Sequence, residues 1–431
     1  MKRFALVALL AAMLFGVASS ASATELKVKG NLDVHGMWSA NLRDFDSDTA
    51  DADNYYTSQR MRTYFTFQAN ENLKAVLGVE INNVWGDDDL WGADRVDTMR
   101  VKHAYIDFIF PDTAINVKAG IQAIALPSVF GHPVFDDDGG ALVVSAPINE
   151  MFAVTAGYTR GVDNFNNYNV NWNGTAFVDD EYNKDNVDMA FLAAPITLDG
   201  FSITPYFAYG WLGQNSGYSY NATDDSTVWV LGANAKLTLF DPLTFAADLI
   251  YGQGDNDEYD TKGWYGALAA SYKLEMLTAT LFGTYATGAD EDADEDNLLP
   301  TLAEGWALTP YLGGARAFAT GASDGFASDT LGVGNDGLGL WTVGLQLTDI
   351  NFVENLTHAL TVAYAEGTGD EDAGVLFDEK DSGWEVYMVN KYMIYENLAA
   401  INELGFFSLD HDDMDDTDNS YFATVGFQYK F

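Results

Sequence analysis

Alternation of apolar and polar residues with a period of two recurs along most of this chain. In residues 60–69, Met61 and Phe65 fall on one side of the alternation, whereas Arg60 and Arg62 fall on the other. Side chains alternate between the two faces of a β-strand, so each such segment predicts a strand with one apolar and one polar face. The same pattern, without a convincing helical period, is found in residues 26–38, 73–82 and 229–239.

The connections between these segments are of two kinds. Short turns such as Glu71-Asn72, Pro111-Asp112 and Glu396-Asn397 alternate with long, mostly acidic connections. This asymmetry predicts an up-and-down meander with one plain and one decorated end, as in bacterial outer-membrane barrels. A soluble sandwich would show more uniform connections and Greek-key crossovers. The long connections are residues 41–57, 86–97, 161–185, 213–226, 254–261, 289–336, 368–382 and 411–419.

The N-terminal residues predict export. Residues 1–23 contain Lys2 and Arg3, an apolar run from Phe4 to Val17 and the tripeptide Ala21-Ser22-Ala23, the pattern of a cleaved signal peptide. An uncleaved membrane anchor is the alternative, but the apolar run is short for a transmembrane helix. Beyond it, no apolar stretch is long enough for a helical span, and the chain has no cysteine for disulfides or thiolate chemistry. Residues 24–431 are therefore expected to form one domain.

Counting strands in this way gives an all-β, transmembrane, antiparallel up-and-down β-barrel of 16 or 18 strands, with 18 favoured. The lower number holds if the weak segments 140–147 and 338–348 are misread. The chain ends in a strand-like row that includes Phe427, Tyr429 and Phe431, with no polar tail to protect an edge. Barrel closure explains this ending because it pairs the last strand with the first. A soluble edge strand is the alternative.

These features resemble a known family. The terminal row Phe427, Tyr429 and Phe431 resembles the C-terminal assembly signal of outer-membrane β-barrels. The whole chain resembles a general porin of Gram-negative bacteria, in particular the acidic homotrimeric outer-membrane porins of sulfate-reducing bacteria. The resemblance implies a homotrimer of water-filled barrels in the bacterial outer membrane that passes small hydrophilic solutes and ions by passive diffusion. It also implies contact with outer-membrane lipid, lipopolysaccharide and the barrel assembly machinery.

Two other functions stay open. One is a substrate-specific outer-membrane channel for a sugar or an organic acid, which an aromatic track along the lumen would favour. The other is a non-conducting structural barrel at the cell surface. Nucleic acid is not an expected partner, because a chain with 64 acidic and 21 basic residues carries a formal charge of −43 and repels polyanions.

Catalytic and metal chemistry have weak support in the sequence. The five histidines are far apart, no Gly-x-Ser-x-Gly motif occurs, and no cofactor motif is found, so an enzyme is not expected. Asp292, Asp294 and Asp296 are spaced like the start of an EF-hand loop, but Asn297 replaces the turn glycine. A solvated external loop is the preferred interpretation, so no dedicated metal site is predicted.

The resemblance also implies a pore constriction, because in porins the third external loop folds inward and faces basic wall residues. The candidate loop is residues 125–139, between a strand at 114–124 and a weak one at 140–147. It carries the predicted acidic side of the constriction: Asp136, Asp137 and Asp138. The predicted basic wall, on polar strand faces early in the chain, consists of Arg60, Arg62, Lys27, Lys29 and Lys118.

Two alternatives accompany this constriction. The early basic residues are also consistent with scattered surface charge. Arg100 and Lys102 align with the apolar residues Ala104 and Ile106, which predicts that they lie outside the barrel near its loop end. Only a β-bulge that changes the register would reverse that placement.

Overall fold

Eighteen antiparallel strands form one closed sheet in the computed structural model. The structure describes residues 24–42, 45–48, 53–86, 99–163, 171–172, 177–178, 186–214, 216, 224–255, 260–291, 295–318, 337–375, 377–412, 414 and 417–431. Within these residues, no helix is long and apolar enough to cross a membrane. The prediction of an up-and-down barrel with 18 strands is confirmed.

The barrel strands follow one another in chain order. The first nine are β1 (Glu25–Ala40), β2 (Asp53–Asn70), β3 (Leu73–Val84), β4 (Met99–Ile109), β5 (Asn116–Ala125), β6 (Asp136–Pro147), β7 (Ala153–Val162), β8 (Val187–Ala193, continued by Ile196–Leu198) and β9 (Phe201–Leu212). The second nine are β10 (Ser226–Phe240), β11 (Leu243–Asp255), β12 (Asp260–Lys273), β13 (Thr278–Ala286), β14 (Leu340–Val353), β15 (Leu356–Gly367), β16 (Ser382–Tyr395), β17 (Leu398–Asp410) and β18 (Ser420–Lys430).

Three short elements lie outside this barrel. Glu295–Asp296 pairs in parallel with the first residues of β12. Asn171–Trp172 and Phe177–Val178 form a separate two-stranded ribbon, and Glu371–Ala373 is a single 3₁₀ turn.

The barrel closes between its first and last strands. β1 pairs with β18 from Asn31 opposite Lys430 to Ala40 opposite Tyr421. One residue further, the amide of Phe431 donates to the carbonyl of Gly30 at 3.0 Å, and the amide of Gly30 donates to the carbonyl of Phe431 at 2.8 Å. The aromatic chain end is therefore a paired strand, and its backbone groups are satisfied by the closure.

The outer face of the barrel is apolar. Several leucines on this face have more than half of their surface exposed, although leucine is usually buried in soluble proteins. They include Leu231, Leu249, Leu268 and Leu281. Exposed aromatic side chains lie near the strand ends that lead to the long connections: Trp38, Trp211, Trp264, Tyr285 and Trp384. Others are exposed near the short turns, among them Phe240, Tyr272, Phe352, Tyr392 and Tyr395.

An apolar band between two aromatic girdles is the surface of a barrel surrounded by lipid. Lipid offers no hydrogen-bond partners to the backbone, and a closed barrel pairs the backbone groups of its strands within the sheet. The protein is therefore a barrel of the bacterial outer membrane.

In the part of the chain that the structure describes, two connections fold into the barrel instead of extending from it. We call residues 126–135, between β5 and β6, the inner loop, and residues 297–318, within the connection from β13 to β14, the strap. The two pair with each other through backbone hydrogen bonds. The amide of Gly305 donates to the carbonyl of His132 at 3.0 Å, and the amide of Ala307 donates to that of Phe130 at 2.7 Å.

The strap corrects the prediction that residues 289–336 form an external acidic loop as far as residues 297–318 are concerned; residues 319–336 lie outside the described residues. Six acidic residues of that connection lie between 290 and 296, whereas the strap contains a single acid, Glu304, and is rich in apolar residues. Leu299, Trp306, Tyr311 and Leu312 are at most 1% exposed. Burial of these side chains inside the barrel favours the inward course over an external one.

Candidate functional site

The inner loop crosses the interior of the barrel from β5 and β6 to the far wall. Asp248 on β11 accepts hydrogen bonds at its Oδ2 from the Ser128 hydroxyl, at 2.9 Å, and from the Val129 amide, at 2.6 Å. Its Oδ1 accepts from the side-chain amide of Asn234 at 2.7 Å. One buried carboxylate thus fixes the tip of the loop five strands away from its origin.

His132 is the second anchor of the inner loop. Its Nδ1 accepts from the amides of Val134 and Phe135, at 3.0 and 3.1 Å, which leaves the proton of the neutral ring on Nε2. That nitrogen lies 2.7 Å from the Tyr206 hydroxyl on β9. Complete burial lowers the pKa of His132 to about 3, so the ring is neutral around pH 7.

The strap follows the inner wall from β12 to β18 and β1. The indole of Trp306 donates to the Tyr265 hydroxyl at 3.0 Å, and the Tyr311 amide donates to Oε1 of Glu385 at 3.3 Å. Thr309 donates its hydroxyl to the other oxygen of Glu385. The Tyr311 hydroxyl lies 2.9 Å from that of Ser420.

The end of the strap lies over the first and last strands. The Ala317 amide donates to Oε1 of Glu403 on β17 at 2.7 Å, and the Phe318 ring stacks on His35 of β1 with 4.7 Å between centroids. These contacts and those of the inner loop are with β9, β11, β12, β16, β17, β18 and β1. They lie on the side of the barrel away from β3 to β5.

The predicted basic wall residues lie on the inner face of β1, β2 and β5. In the β1–β2 register, Arg60 stands opposite Asp33 and Arg62 opposite Asn31, on the face that carries the buried His35. Lys27 and Lys29 continue this face toward the short turns, and Lys27 lies 3.4 Å from Glu25. On β5, the Lys118 ammonium lies 4.3 Å from the centre of the Tyr105 ring.

Carboxylates accompany the bases on this wall. Arg62 forms an ion pair with Glu80 of β3, across one strand spacing. Lys74 on β3 pairs with Asp107 of β4 at 3.0 Å, and Asp107 also accepts from the side-chain amide of Asn116 at 2.7 Å. The wall of β2 to β5 therefore presents both signs of charge.

The three predicted loop acids begin strand β6 instead of lying on the inner loop. The ladder between β5 and β6 extends as far as Ala125 opposite Asp136, so backbone pairing takes these residues into the wall. Asp138 pairs with the ammonium of Lys102 and lies 3.1 Å from Nε2 of His103. Asp137 accepts from the amide of Asp138 at 2.6 Å, and the Asp136 amide donates to the carbonyl of Ala303 on the strap.

A bulge in β4 changes the predicted placement of Arg100 and Lys102. The register with β3 shifts between Gly78, opposite His103, and Val79, opposite Val101, so that Lys102 is the extra residue. Arg100 consequently stands opposite Glu80, on the inner face, and Lys102 reaches Asp138. The bulge is the exception stated for this prediction, and it reverses the outside placement of Arg100 that regular alternation gives.

Sequence reasoning missed the side chains that anchor the inward segments. Asp248, Glu385 and Glu403 are at most 5% exposed, and each is an isolated acid within an otherwise apolar strand segment. A buried carboxylate needs partners, so such lone acids are a signal for a segment that packs against the inner wall. Nothing in the sequence says which connection supplies that segment.

Metal ligands are not grouped in the part of the chain that the structure describes. No cluster of three or more histidine or acidic side chains suited to a metal ion occurs there. Two of the three acids of the EF-hand-like stretch, Asp292 and Asp294, lie outside the described residues.

Solved structures of outer-membrane channels share this fold. OccAB3 of Acinetobacter baumannii aligns with a TM-score of 0.55 at 14% identity, covering 94% of this chain and 100% of that chain. OpdL of Pseudomonas aeruginosa gives the same score and identity, covering 94% and 99%. A BenF-like porin from Pseudomonas fluorescens Pf-5 aligns with a TM-score of 0.55 at 11% identity, again covering 94% and 99%. No protein-family model and no curated protein matches the sequence.

The chain therefore has the barrel fold of these outer-membrane proteins of Gram-negative bacteria. At these sequence identities the similarity shows a shared fold and does not indicate which solute this protein would pass.

Proposed function

We propose that the protein is a porin, a passive channel for small hydrophilic solutes and ions across the outer membrane. The observation that carries this proposal is the combination of a closed 18-strand barrel with a polar, charge-bearing inner wall on β1 to β5. A barrel of this strand number is too wide for its own side chains to fill, so it has an aqueous lumen. The inner loop and the strap narrow that lumen from one side.

The solved channels and the BenF-like porin with the same fold support this proposal. The resemblance to the porins of sulfate-reducing bacteria, the homotrimer, and the contacts with lipopolysaccharide and the assembly machinery are part of the same proposal. So is the role of Phe427, Tyr429 and Phe431 as an assembly signal. The proposed channel needs no cofactor and performs no chemical reaction.

A substrate-selective channel is the second candidate. It is favoured by one observation, that two segments and not one fold into the barrel and are fixed there by buried hydrogen bonds. A rigid, narrow passage discriminates between solutes better than a wide one. The aromatic residues of the covered wall, such as Tyr206 and Tyr265, are buried beneath these segments and do not form an open track.

Liposome swelling with a series of sugars and amino acids distinguishes the two candidates. The porin predicts swelling rates that fall smoothly with solute size and do not saturate with concentration. A selective channel predicts one solute class that enters faster than its size allows and that saturates. Absence of swelling with every solute smaller than a disaccharide would contradict both.

We further propose that the pore lining sets ion selectivity, with Arg60, Arg62, Lys27, Lys29 and Lys118 on the wall of β1, β2 and β5, and Asp136, Asp137 and Asp138 at the start of the neighbouring β6. Charges of both signs along a narrow passage create a local field that favours polar permeants. Exchanging Arg60 and Arg62 for glutamine leaves the carboxylate of Glu80 without its ion pair. The ratio of cation to anion permeability is then expected to rise. Exchanging the three aspartates for asparagine is expected to lower it.

The reversal potential in a salt gradient measures this ratio, most sensitively at low salt, where screening is weak. Arg160→Gln is the matched control, because Arg160 pairs with Asp188 on the outer face of β7 and β8. If neither lumen variant moves the reversal potential more than this control does, these side chains do not line the constriction.

A further inference from the structure

The inner wall of β2 to β5 carries a row of aromatic rings. Tyr64 of β2 and His103 of β4 lie with 5.3 Å between their ring centroids, and His103 and Tyr105 lie with 5.9 Å between theirs. The ammonium of Lys118 on β5 lies 4.3 Å from the centre of the Tyr105 ring and ends the row. We call Tyr64, His103 and Tyr105 the aromatic row. All three are partly exposed, and the anchors of the inner loop and the strap described above lie on other strands.

Gly78 of β3 allows the row to cross from β2 to β4. It stands opposite Tyr64 in one register and opposite His103 in the other. A Cβ atom at this position would lie 2.9 Å from Cε1 of Tyr64 and 3.0 Å from Cβ of His103. The two rings therefore occupy the space that a side chain at 78 would fill. Glu80, two residues further on the same face of β3, pairs with the inward Arg62, so the row lies on the lumen side of the wall.

Ion pairs border the aromatic row on both sides. Arg62 and Glu80 lie toward the long connections. Toward the short turns, Asp107 accepts from the Lys74 ammonium at 3.0 Å and from the side-chain amide of Asn116 at 2.7 Å. A carboxylate accepts several hydrogen bonds and an ammonium donates several, so these paired groups can bind further partners. The row is thus an apolar strip between two borders that hold both donors and acceptors.

A pyranose sugar matches this surface. The faces of its ring consist of C–H groups, which pack on aromatic rings, and its edge consists of hydroxyls, which both donate and accept hydrogen bonds. A linear polyol has the hydroxyls but not the ring face. A charged solute meets a charge of its own sign in each border pair, whereas a neutral sugar meets no such repulsion.

Building on the proposed channel function, we infer that the aromatic row is a binding site for pyranose sugars on the pore wall. The sugar ring lies against Tyr64, His103 and Tyr105, and its hydroxyls bond to the pairs that contain Glu80 and Asp107. The site makes neutral sugars the solute class that the channel prefers.

Block of the ion current by sugar tests this site. Glucose and sorbitol are added separately to the wild-type protein in planar bilayers, because the two are similar in size and only glucose has a ring face. The site predicts that glucose lowers the current with a dependence that saturates with concentration, whereas sorbitol has only the unsaturating effect of viscosity. Equal effects of glucose and sorbitol would overturn the site. Saturable block by benzoate with none by glucose would overturn the assignment to sugars.

Substitution of Tyr105 locates the sugar on the row. Tyr105→Ala is expected to raise the Kd for glucose roughly tenfold, which corresponds to about 1.4 kcal/mol, whereas Tyr105→Phe keeps the ring and changes the Kd by less than about twofold. Tyr285→Ala is the matched control, because Tyr285 is 51% exposed on the outer face, and it should leave the Kd unchanged. A glucose Kd in Tyr105→Ala equal to that of the wild type would contradict the site.

Saturation-transfer NMR provides a measurement that needs neither a current nor a variant. The wild-type protein is solubilised in a detergent without a sugar head group and mixed with glucose or sorbitol. The site predicts transfer of saturation to the ring C–H protons of glucose and much weaker transfer to sorbitol. Such transfer in a protein that carries no current would contradict the channel function and leave the site standing. Absence of transfer in a protein that does carry current would overturn the site and leave the channel function standing.

Discussion

Single buried carboxylates decide the course of the inward segments. Asp248, Glu385 and Glu403 each accept hydrogen bonds from backbone amides of a segment that comes from a distant part of the chain. Hydrogen bonds to an ionised carboxylate contribute about 1.5 to 3 kcal/mol each, and those to a neutral acceptor about 0.5 to 1.5 kcal/mol. These acids are therefore determinants of pore shape, although none of them is required for the barrel ladder.

Exchange of Asp248 for alanine is expected to release the inner loop. The variant loses the bonds to Ser128 and Val129, which destabilises the inward position by about 3 to 6 kcal/mol if the two bonds add. The predicted result is a larger and noisier single-channel conductance with normal barrel assembly. Asp188→Ala, which removes a carboxylate from the outer face, is the control and should leave the conductance unchanged. An unchanged conductance in Asp248→Ala would show that the loop does not limit the pore.

Acid is expected to loosen the inner loop through His132. Its pKa is lowered to about 3 in the inward position, whereas a displaced, hydrated ring has the ordinary value near 6.5. The displaced state therefore binds the proton more readily. The stability of the inward position is complete above pH 6.5, and it falls by up to about 1.4 kcal/mol per pH unit between 6.5 and 3. The Tyr206 hydroxyl contacts the ring at 2.7 Å, and the Asp136 carboxylate accepts a hydrogen bond from the backbone of His132.

A conductance series from pH 7 to pH 4 measures this effect. We expect the wild-type channel to become larger or noisier as the pH falls. In His132→Asn the amide oxygen still accepts from Val134 and Phe135 but does not titrate in this range, so its conductance should be much less dependent on pH. The same pH dependence in both proteins would assign the effect to other groups.

At the scale of elements, the inner loop and the strap form one unit. Their backbones approach so closely that a Cβ atom on Gly131, whose φ is 78°, would lie 2.0 Å from the carbonyl oxygen of Gly305. Gly131→Ala is therefore expected to separate the two segments, at a cost of several kcal/mol from the clash and the unfavourable φ.

Limited proteolysis and conductance measure that separation. The predicted result for Gly131→Ala is new cleavage within the strap and a larger current, while the barrel keeps its heat-dependent mobility on gels. Gly140→Ala is the matched control, because a Cβ at Gly140 in β6 meets no atom within 4 Å. Identical behaviour of the two variants would mean that the close pairing is not needed to hold the segments inside.

The elements differ in how far sequence alone predicts them. Strands such as β2 and β10 follow from period-two alternation, because lipid and lumen impose opposite polarity on their two faces. The bulge at Lys102 and the inward course of residues 297–318 do not follow from it. A bulge is one residue of irregular backbone, and the burial of the strap depends on partners in β12, β16 and β17 that are distant in sequence.

The candidate site shows the same division. The inner placement of Arg60 and Arg62 follows from their alternation with Met61, but their partners do not, because pairing depends on register. Asp138 meets Lys102 and His103 through the bulge, and Arg62 meets Glu80 of the next strand. Local periodicity thus predicts which face a residue takes, and tertiary contacts decide what it meets there.

At the scale of the whole molecule, the net charge of −43 resides in a barrel whose uncovered inner wall carries bases as well as acids. The long connections, which are rich in acidic residues, join the strands at one end of the barrel. We propose that they form an acidic vestibule there, which concentrates cations over a distance of about 8 Å at physiological ionic strength. The preference for cations over anions then depends on whether the vestibule or the paired charges of the wall dominate.

Single-channel recording in planar bilayers tests the central claim, that this barrel is an open aqueous channel narrowed by two inward segments. The account predicts discrete current steps that are linear in voltage, grow with salt concentration and increase further in the Asp248→Ala variant. At low salt the conductance should be higher than a value proportional to the salt concentration, because the acidic vestibule keeps cations at the mouth. Fully folded barrels that insert into the bilayer and carry no current in either protein would contradict the account.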